Sequence, residues 1–168
     1  MENNTGLIDI NNSVQTIFAR NLAADYSAKM YLNERSITNE MIGHFGIGFA
    51  KDSWDEVTNL LKNRNQLSEG LELGLLVKNN NKVYDRFRNR IMFPIKNTSG
   101  KIIAFGGRAL KKDEKAKYIN SPESKLFFKS AEVYGLSEAK QDISKKDKII
   151  IVEGYTDVIA LHKNNFKN

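Results

Sequence analysis

The hydrophobic pattern changes period at Gly74, and this change most restricts what the chain can fold into. Before it, apolar residues recur three and four apart. Val14, Ile17, Phe18, Leu22, Tyr26, Met30 and Tyr31 form one such series, which predicts an amphipathic helix from Ser13 to about Glu34, capped by Asn12 or Ser13. The Asn-rich residues 1–12 read as a flexible tail. Thr38 and Glu40, followed by Met41, Ile42 and Phe45, predict a short second helix stopped at Gly46-Ile47-Gly48. A third is expected after Asp52 and Ser53, with Trp54, Val57, Leu60 and Leu61 on its inner face. Leu67 to Leu73 reads as a fourth.

Beyond Gly74 short strands take over. Leu75 to Val77 and Lys82 to Tyr84 predict a hairpin around Asn79-Asn80-Asn81, and Arg90 to Lys96 pairs with Lys101 to Phe105 around Asn97-Thr98-Ser99-Gly100. Pro94 has no N–H, so its strand is expected at an edge or a bulge. Lys111 to Lys117 is a charged loop, Leu136 to Gln141 a brief helix, and Asp142 to Asp147 a linker. Then Ile149 to Val152, four apolar and mostly β-branched residues, predict a short strand buried on both faces. Glu153 stands at its end, Gly154 allows a sharp turn, and Tyr155 to Lys163 reads as a helix with Val158, Ile159 and Leu161 inward. Open α/β sheets bind ligands just beyond such a strand end. A carboxylate there suits a hard cation such as Mg²⁺. One carboxylate rarely makes a metal site, so its partners are expected beyond Asn168. An apolar strand without neighbours would be costly or sticky.

Charge and composition narrow the function. From Lys82 to Lys129 there are 13 Lys and Arg against 4 Asp and Glu, whereas the remainder has 13 against 16. A basic excess gathered in one segment is what a polyanion-binding surface requires. The chain has no cysteine, which excludes disulfides and Cys-based zinc, and its two histidines, His44 and His162, lack ligand spacing. No apolar run approaches a membrane span, and no signal peptide is evident.

Three clusters carry the chemistry. In Asp85-Arg86-Phe87-Arg88-Asn89-Arg90, an extended chain would put three guanidinium forks on one face, suited to phosphate oxygens, although three surface arginines beside acidic neighbours read equally well. In Phe105-Gly106-Gly107-Arg108, paired glycines permit either close backbone approach to an anion or a plain bulge. In Lys117-Tyr118-Ile119-Asn120-Ser121-Pro122-Glu123 with Leu126-Phe127-Phe128-Lys129, cations, an aromatic face and an amide lie together. That mixture suits single-stranded nucleic acid.

These strings, with Val133-Tyr134-Gly135-Leu136 and Val152-Glu153-Gly154-Tyr155-Thr156-Asp157-Val158, follow the order seen in bacterial DNA primases of the DnaG type. The resemblance spans about Tyr31 to the chain end. It implies an α+β fold in which a helical amino-terminal part packs on a small mixed or antiparallel sheet and leads into the first strand–helix unit of a TOPRIM α/β fold. Residues 13–147 would be the amino-terminal subdomain of the catalytic core, helical over 13–73 and strand-rich and basic over 74–147. Residues 148–168 would open the TOPRIM subdomain. The resemblance further implies that Glu153 belongs to an acidic Mg²⁺ or Mn²⁺ site acting in nucleotidyl transfer. Arg86, Arg88 and Arg108 would contact nucleotide phosphates or template, and Lys117, Tyr118, Asn120 and Lys129 would line the path of template or nascent hybrid. Asp157 would support the site.

The implied protein is a cytoplasmic, nucleoid-associated nucleotidyltransferase of the replication fork. It would make short RNA primers from ribonucleoside triphosphates on a single-stranded DNA template and meet the replicative helicase through a domain not present here. Asn33-Glu34-Arg35-Ser36-Ile37 departs from the family's usual Arg-Gly-Ile turn. No Cys is present for a zinc module, and the family's Asp-x-Asp motif is expected after Asn168. The chain is therefore expected to be an inactive fragment with no metal bound. Two rivals are a non-catalytic module for single-stranded nucleic acid and a TOPRIM nuclease or topoisomerase, which shares the glutamate but not the Lys-Tyr-Ile-Asn-Ser-Pro-Glu string.

Overall fold

The apolar run Ile91-Met92-Phe93-Pro94-Ile95 becomes the central strand of the protein. The computed structural model describes residues 4–111 and 113–168. Its helices and strands are α1 (Thr5–Ala24), α2 (Tyr26–Glu34), α3 (Asn39–Phe45), β1 (Gly48–Ala50), α4 (Glu56–Asn63), α5 (Leu67–Glu72), β2 (Leu76–Asn79), β3 (Lys82–Asp85), β4 (Arg90–Lys96), β5 (Ile102–Ala109), β6 (Tyr118–Asn120), α6 (Leu136–Lys146) and α7 (Tyr155–Lys163). An antiparallel sheet of order β1-β4-β5-β6 forms the centre, and β2-β3 is a separate hairpin.

β4 is buried on both faces because side chains alternate across it. Met92 joins the core with α1, α4 and α5, through Val14, Phe18, Val57, Leu61 and Phe105. Ile91 and Phe93 point into the core with α2, α3 and α7, through Leu32, Met41, Phe45 and Ile159. α1 crosses β1 so closely that a Cβ on Gly48 would stand 2.6 Å from that of Phe18.

Pro94 sits in a central strand, yet its expected edge character survives locally. Phe105 lies opposite it, and the Phe105 N–H donates to Ser121 Oγ while its carbonyl accepts from Ser121 N–H. Those groups turn toward β6, so the missing donor of Pro94 turns the other way, past the end of β1. There Gly46, the left-handed cap of α3, packs against the proline ring. The ladder also shifts register at Ile95 and Lys96.

Several helical expectations are corrected. The expected tail is helical from Thr5, with Ile10 and Asn11 buried, while residues 1–3 lie outside the described residues. The single helix over Ser13–Glu34 is two, because Asp25 adopts an extended conformation and its carboxylate accepts from Ala28 N–H at 2.7 Å. The break leaves Tyr26 and Met30 exposed rather than inward. α4 starts at Glu56, not after Asp52 and Ser53, so Trp54 precedes it and is 59% exposed. The linker over Asp142–Asp147 belongs largely to α6, which ends only at Lys146. α3, capped by Thr38, and the hairpin over the Asn turn match the expectation.

The expected buried strand Ile149–Val152 belongs to neither sheet, and Ile149, Ile150 and Ile151 are exposed by 53%, 41% and 78%. Among the described residues no strand lies beside it to complete a ladder. Gly154 lies at a bend, as expected. It caps α7 in extended conformation, and its N–H donates to the Asp157 carboxylate. No helix of the described residues is long and apolar enough to cross a membrane.

The cap of α4 comes from a distant strand. The buried Asp85 carboxylate accepts from Val57 N–H at 2.9 Å, Thr58 N–H at 2.8 Å and Thr58 Oγ at 2.7 Å. Burial raises its pKa, and these hydrogen bonds oppose the rise. Asp85→Ala is expected to cost about 3 kcal/mol in urea denaturation, because it leaves buried amides unpaired. Asp85→Asn, which keeps one acceptor, is expected to cost less.

A second prediction concerns His162, buried on α7 against Phe45 and 5.5 Å from His44, ring to ring. Burial and the facing His44 and Lys167 lower its pKa, against Glu138 and Asp142. The folded state disfavours the charged ring, so its stabilisation is full above the ordinary 6.5 and is lost as pH falls through the lowered folded value. Thermal melting is expected to drop more steeply between pH 6.5 and that lowered value in the native chain than in His162→Leu.

Candidate nucleic-acid interface

The basic residues meet at one end of the sheet because of the β4–β5–β6 register. Arg90 opens β4, Arg108 lies near the end of β5 opposite Ile91, and Tyr118 pairs with Arg108 from β6. The segment from Arg86 to Asn89 connects β3 to β4 as an irregular turn with Asn89 left-handed, not as an extended strand. The three arginines nevertheless line one cleft of ≈ 280 Å³ with Trp54 and Lys111. The turn gathers them, and alternation does not.

Each guanidinium has a different task. Arg86 donates from Nε to the Gly74 carbonyl at 2.6 Å, and burial lowers its pKa. Arg90, 6% exposed, donates to the Ala116 carbonyl at 2.8 Å and approaches the Glu114 carboxylate at 3.9 Å. It is mainly a clamp on the loop before β6. Arg88 hydrogen-bonds the Asp85 carbonyl and lies 3.8 Å above the Trp54 ring, with Tyr84 edge-on to that ring at 5.2 Å. A cation over an exposed indole leaves its outer edge open to an anion or a base. Trp54 was expected in the core. The signal against that was its place between Asp52-Ser53 and Asp55, ahead of the helix.

A second cleft, of ≈ 300 Å³, shares Lys111 and Ala109 with the first and adds Tyr31, Arg35, Arg108 and Lys117. The Arg35 guanidinium stacks on Tyr31 at 3.6 Å, and Arg108 donates to the Tyr118 hydroxyl at 2.6 Å. Burial would lower the Arg108 pKa, but Tyr118 and Tyr31 outweigh it and the value is raised. Arg35 and Lys111 were not among the expected site residues. Arg35 lies in a turn that reads as structural until α2 is seen against β5.

Beyond Tyr118 a third cleft, of ≈ 480 Å³, holds Asn120, Glu153, Gly154, Tyr155, Thr156 and Asp157. Glu153 is exposed. Tyr155 donates to Asn120 Oδ1 at 2.8 Å. The structure thus brings Arg86, Arg88, Arg108, Lys117, Tyr118, Asn120 and Glu153 along one path. Lys129 is exposed but lines none of these clefts. Gly106 and Gly107 form no anion cradle: both are in the β5–β6 ladder, and their missing side chains make room for Tyr155 and for Arg90, Phe87 and Met92. No cluster of three or more metal-ligating His, Cys, Asp or Glu occurs among the described residues.

Comparison with known proteins bears on the family and the fold. The family model "DNA primase catalytic core, N-terminal domain" matches residues 17–140. The DNA primase of Clostridium acetobutylicum is 44% identical over 164 residues, covering 96% of this chain and 27% of the relative. The RNA polymerase domain of Mycobacterium tuberculosis primase DnaG, in complex with a double-stranded DNA oligomer bearing a 6-nucleotide overhang, superposes with a TM-score of 0.92 at 35% identity, over 99% of this chain and 54% of that one. A DnaG primase catalytic domain bound to ssDNA gives 0.89 at 38% identity, over 96% and 53%. The chain spans about a quarter of the length of the curated relatives it matches.

Trp54 is the one tryptophan of the chain and sits under Arg88. Its emission is expected to change when inorganic triphosphate or an oligothymidylate is titrated in, and that change is expected to be lost in Arg88→Ala. Unchanged emission at saturation would place the ligand elsewhere.

Proposed function

We propose that this chain, which belongs to the bacterial DNA primase catalytic-core family, binds the sugar-phosphate backbone of a single-stranded DNA template along the path from Trp54 to Glu153. The observation that carries this reading is the continuity of that path. Two clefts rich in Arg and Lys share Lys111, and the Arg108–Tyr118 hydrogen bond joins them to the cleft of Glu153. Cations along a groove neutralise phosphates in any sequence, while the exposed faces of Trp54 and Tyr118 are available for stacking. Base pairing would then choose each incoming ribonucleoside triphosphate, so side chains that read base edges are unnecessary.

The wider activity follows the family. The protein would make RNA primers by nucleotidyl transfer in the bacterial cytoplasm at the replication fork and would meet the replicative helicase through another domain. Residues 13–147 would form the amino-terminal subdomain of its catalytic core and 148–168 the opening of TOPRIM. Arg86, Arg88, Arg108, Lys117, Tyr118 and Asn120 would hold template or nucleotide phosphates, with Lys129 an outlying contact. Mg²⁺ and Mn²⁺ prefer several oxygen ligands. Glu153 is one carboxylate, and Asp157 is engaged with the Gly154 N–H. The described residues therefore do not fit a divalent metal by themselves, and no chemical step is derived through one. Glu153 is proposed as a single ligand of a larger set. By itself the chain is proposed to act as a non-catalytic module.

Fluorescence anisotropy with an oligothymidylate at low salt tests the binding. The logarithm of affinity is expected to fall linearly with that of salt concentration, and Arg88→Ala or Lys117→Ala is expected to reduce the slope by roughly 0.7 each. Lys129→Ala is expected to change it less. No binding at low salt would overturn the proposal, and primer synthesis by this chain alone would overturn its non-catalytic assignment.

A further inference from the structure

Tyr155 is held more tightly than a residue at a cleft wall requires. Its ring stacks on Phe93, with centroids 5.2 Å apart and planes at 18°, and meets the Tyr134 ring at 4.6 Å. Beneath it Gly106 has no side chain, and a Cβ there would stand 2.6 Å from the ring and from its hydroxyl oxygen. β5, β4 and the loop before α6 thus fix the ring on several sides. The hydroxyl that emerges from this cage donates to Asn120 Oδ1 at 2.8 Å. Asn120 is itself placed by β6, opposite Gly106 in the ladder.

An asparagine amide offers an acceptor on one branch and a two-hydrogen donor on the other. Whichever branch the protein engages, the cleft meets the other. Here Oδ1 is engaged by Tyr155, and among the described residues Nδ2 has no protein partner. The side chain lines the cleft of Glu153 and Tyr118.

We propose that Tyr155 is a positioning residue: its hydroxyl holds the Asn120 amide with Oδ1 inward, so that Nδ2 faces the cleft and donates to a phosphate oxygen of the bound strand. This rests on the template-binding reading above and specifies its chemistry at one point. A donor facing the cleft accepts an anionic oxygen. The flipped amide would set an acceptor against the same oxygen and repel it. Gly106 belongs to the device because any side chain there displaces the ring.

The test uses the full chain with Tyr155→Phe, Asn120→Ala and the double variant. Tyr155→Phe keeps the ring packing and removes only the hydroxyl. Oligothymidylate affinity at low salt is expected to fall about 5-fold in Tyr155→Phe and by a similar factor in Asn120→Ala, with no further loss in the double variant. In ¹⁵N-resolved NMR spectra of the free chain, the Asn120 side-chain amide signals are expected to shift in Tyr155→Phe well beyond backbone amides equally distant from the hydroxyl. Gly106→Ala is expected to shift them as well. Losses that multiply in the double variant, or native affinity in Tyr155→Phe, would overturn the positioning role. So would an unmoved Asn120 amide, whether or not DNA binds. Failure of the native chain to bind DNA, with the amide shifted as expected, would instead overturn the template reading and with it the phosphate partner, leaving the hydrogen bond intact.

Discussion

The ladder between β4 and β5 is the constraint on which the other features depend. It pairs positions from Arg90 with Ala109 to Lys96 with Ile102. β4 offers apolar side chains to both faces, so two cores condense on one strand, one with α1, α4 and α5 and the other with α2, α3 and α7. A one-residue slip would exchange Met92 with its neighbours Ile91 and Phe93 between those cores. The same slip would move Arg90 off the face from which it reaches the Ala116 carbonyl in the loop before β6. Packing and charge placement are therefore one decision, taken where hydrophobic burial is greatest and alternatives cost most.

The site shows how a basic surface divides its labour. Arg86 and Arg90 are half-buried or buried and satisfy backbone carbonyls of the loops that shape the clefts. Desolvation works against their charge, and the hydrogen bonds justify keeping it. Arg88, Arg35 and Arg108 lie over or against aromatic rings instead. Those rings limit side-chain motion while leaving the cation partly available. Lys111 and Lys117, exposed and flexible, supply charge with little geometry.

Elements with strong local signals were legible in the sequence. The cap at Thr38, the left-handed Gly46, the Asn turn of the hairpin and the two long strands all appear where residue chemistry places them. What escaped was non-local or short. β1 and β6 have three residues each, too few to show a period, and exist because β4 and β5 offer them edges. The helix break at Asp25 was written in an ordinary capping residue but masked by apolar spacing that continued across it. The cap of α4 comes from Asp85, some thirty residues further along, so no local motif could announce it. For the candidate site, the basic segment was legible as charge, and the motif strings supplied the candidates that the structure sets along the clefts, Lys129 excepted. Which arginines bind backbone, and which way the Asn120 amide points, depends on partners that only the fold brings near.

The uncovered isoleucines have a consequence for how copies of the chain behave together. Ile149 to Ile151 form a β-prone apolar run, and its main-chain pairing among the described residues is the bond from Ile150 N–H to the Asn168 carbonyl. Such a run is a template for strand addition between molecules. Lys145, Lys146 and Lys148 flank it as gatekeepers, and like charges at close range keep two such edges apart. That protection is electrostatic, whereas the attraction is not. Salt would therefore act in opposite senses on two features of the molecule: it would loosen a polyanion from the basic clefts of the proposed template path while removing the repulsion that keeps the isoleucine edges separate. Colloidal stability and nucleic-acid release would in this way be coupled through the same ionic strength.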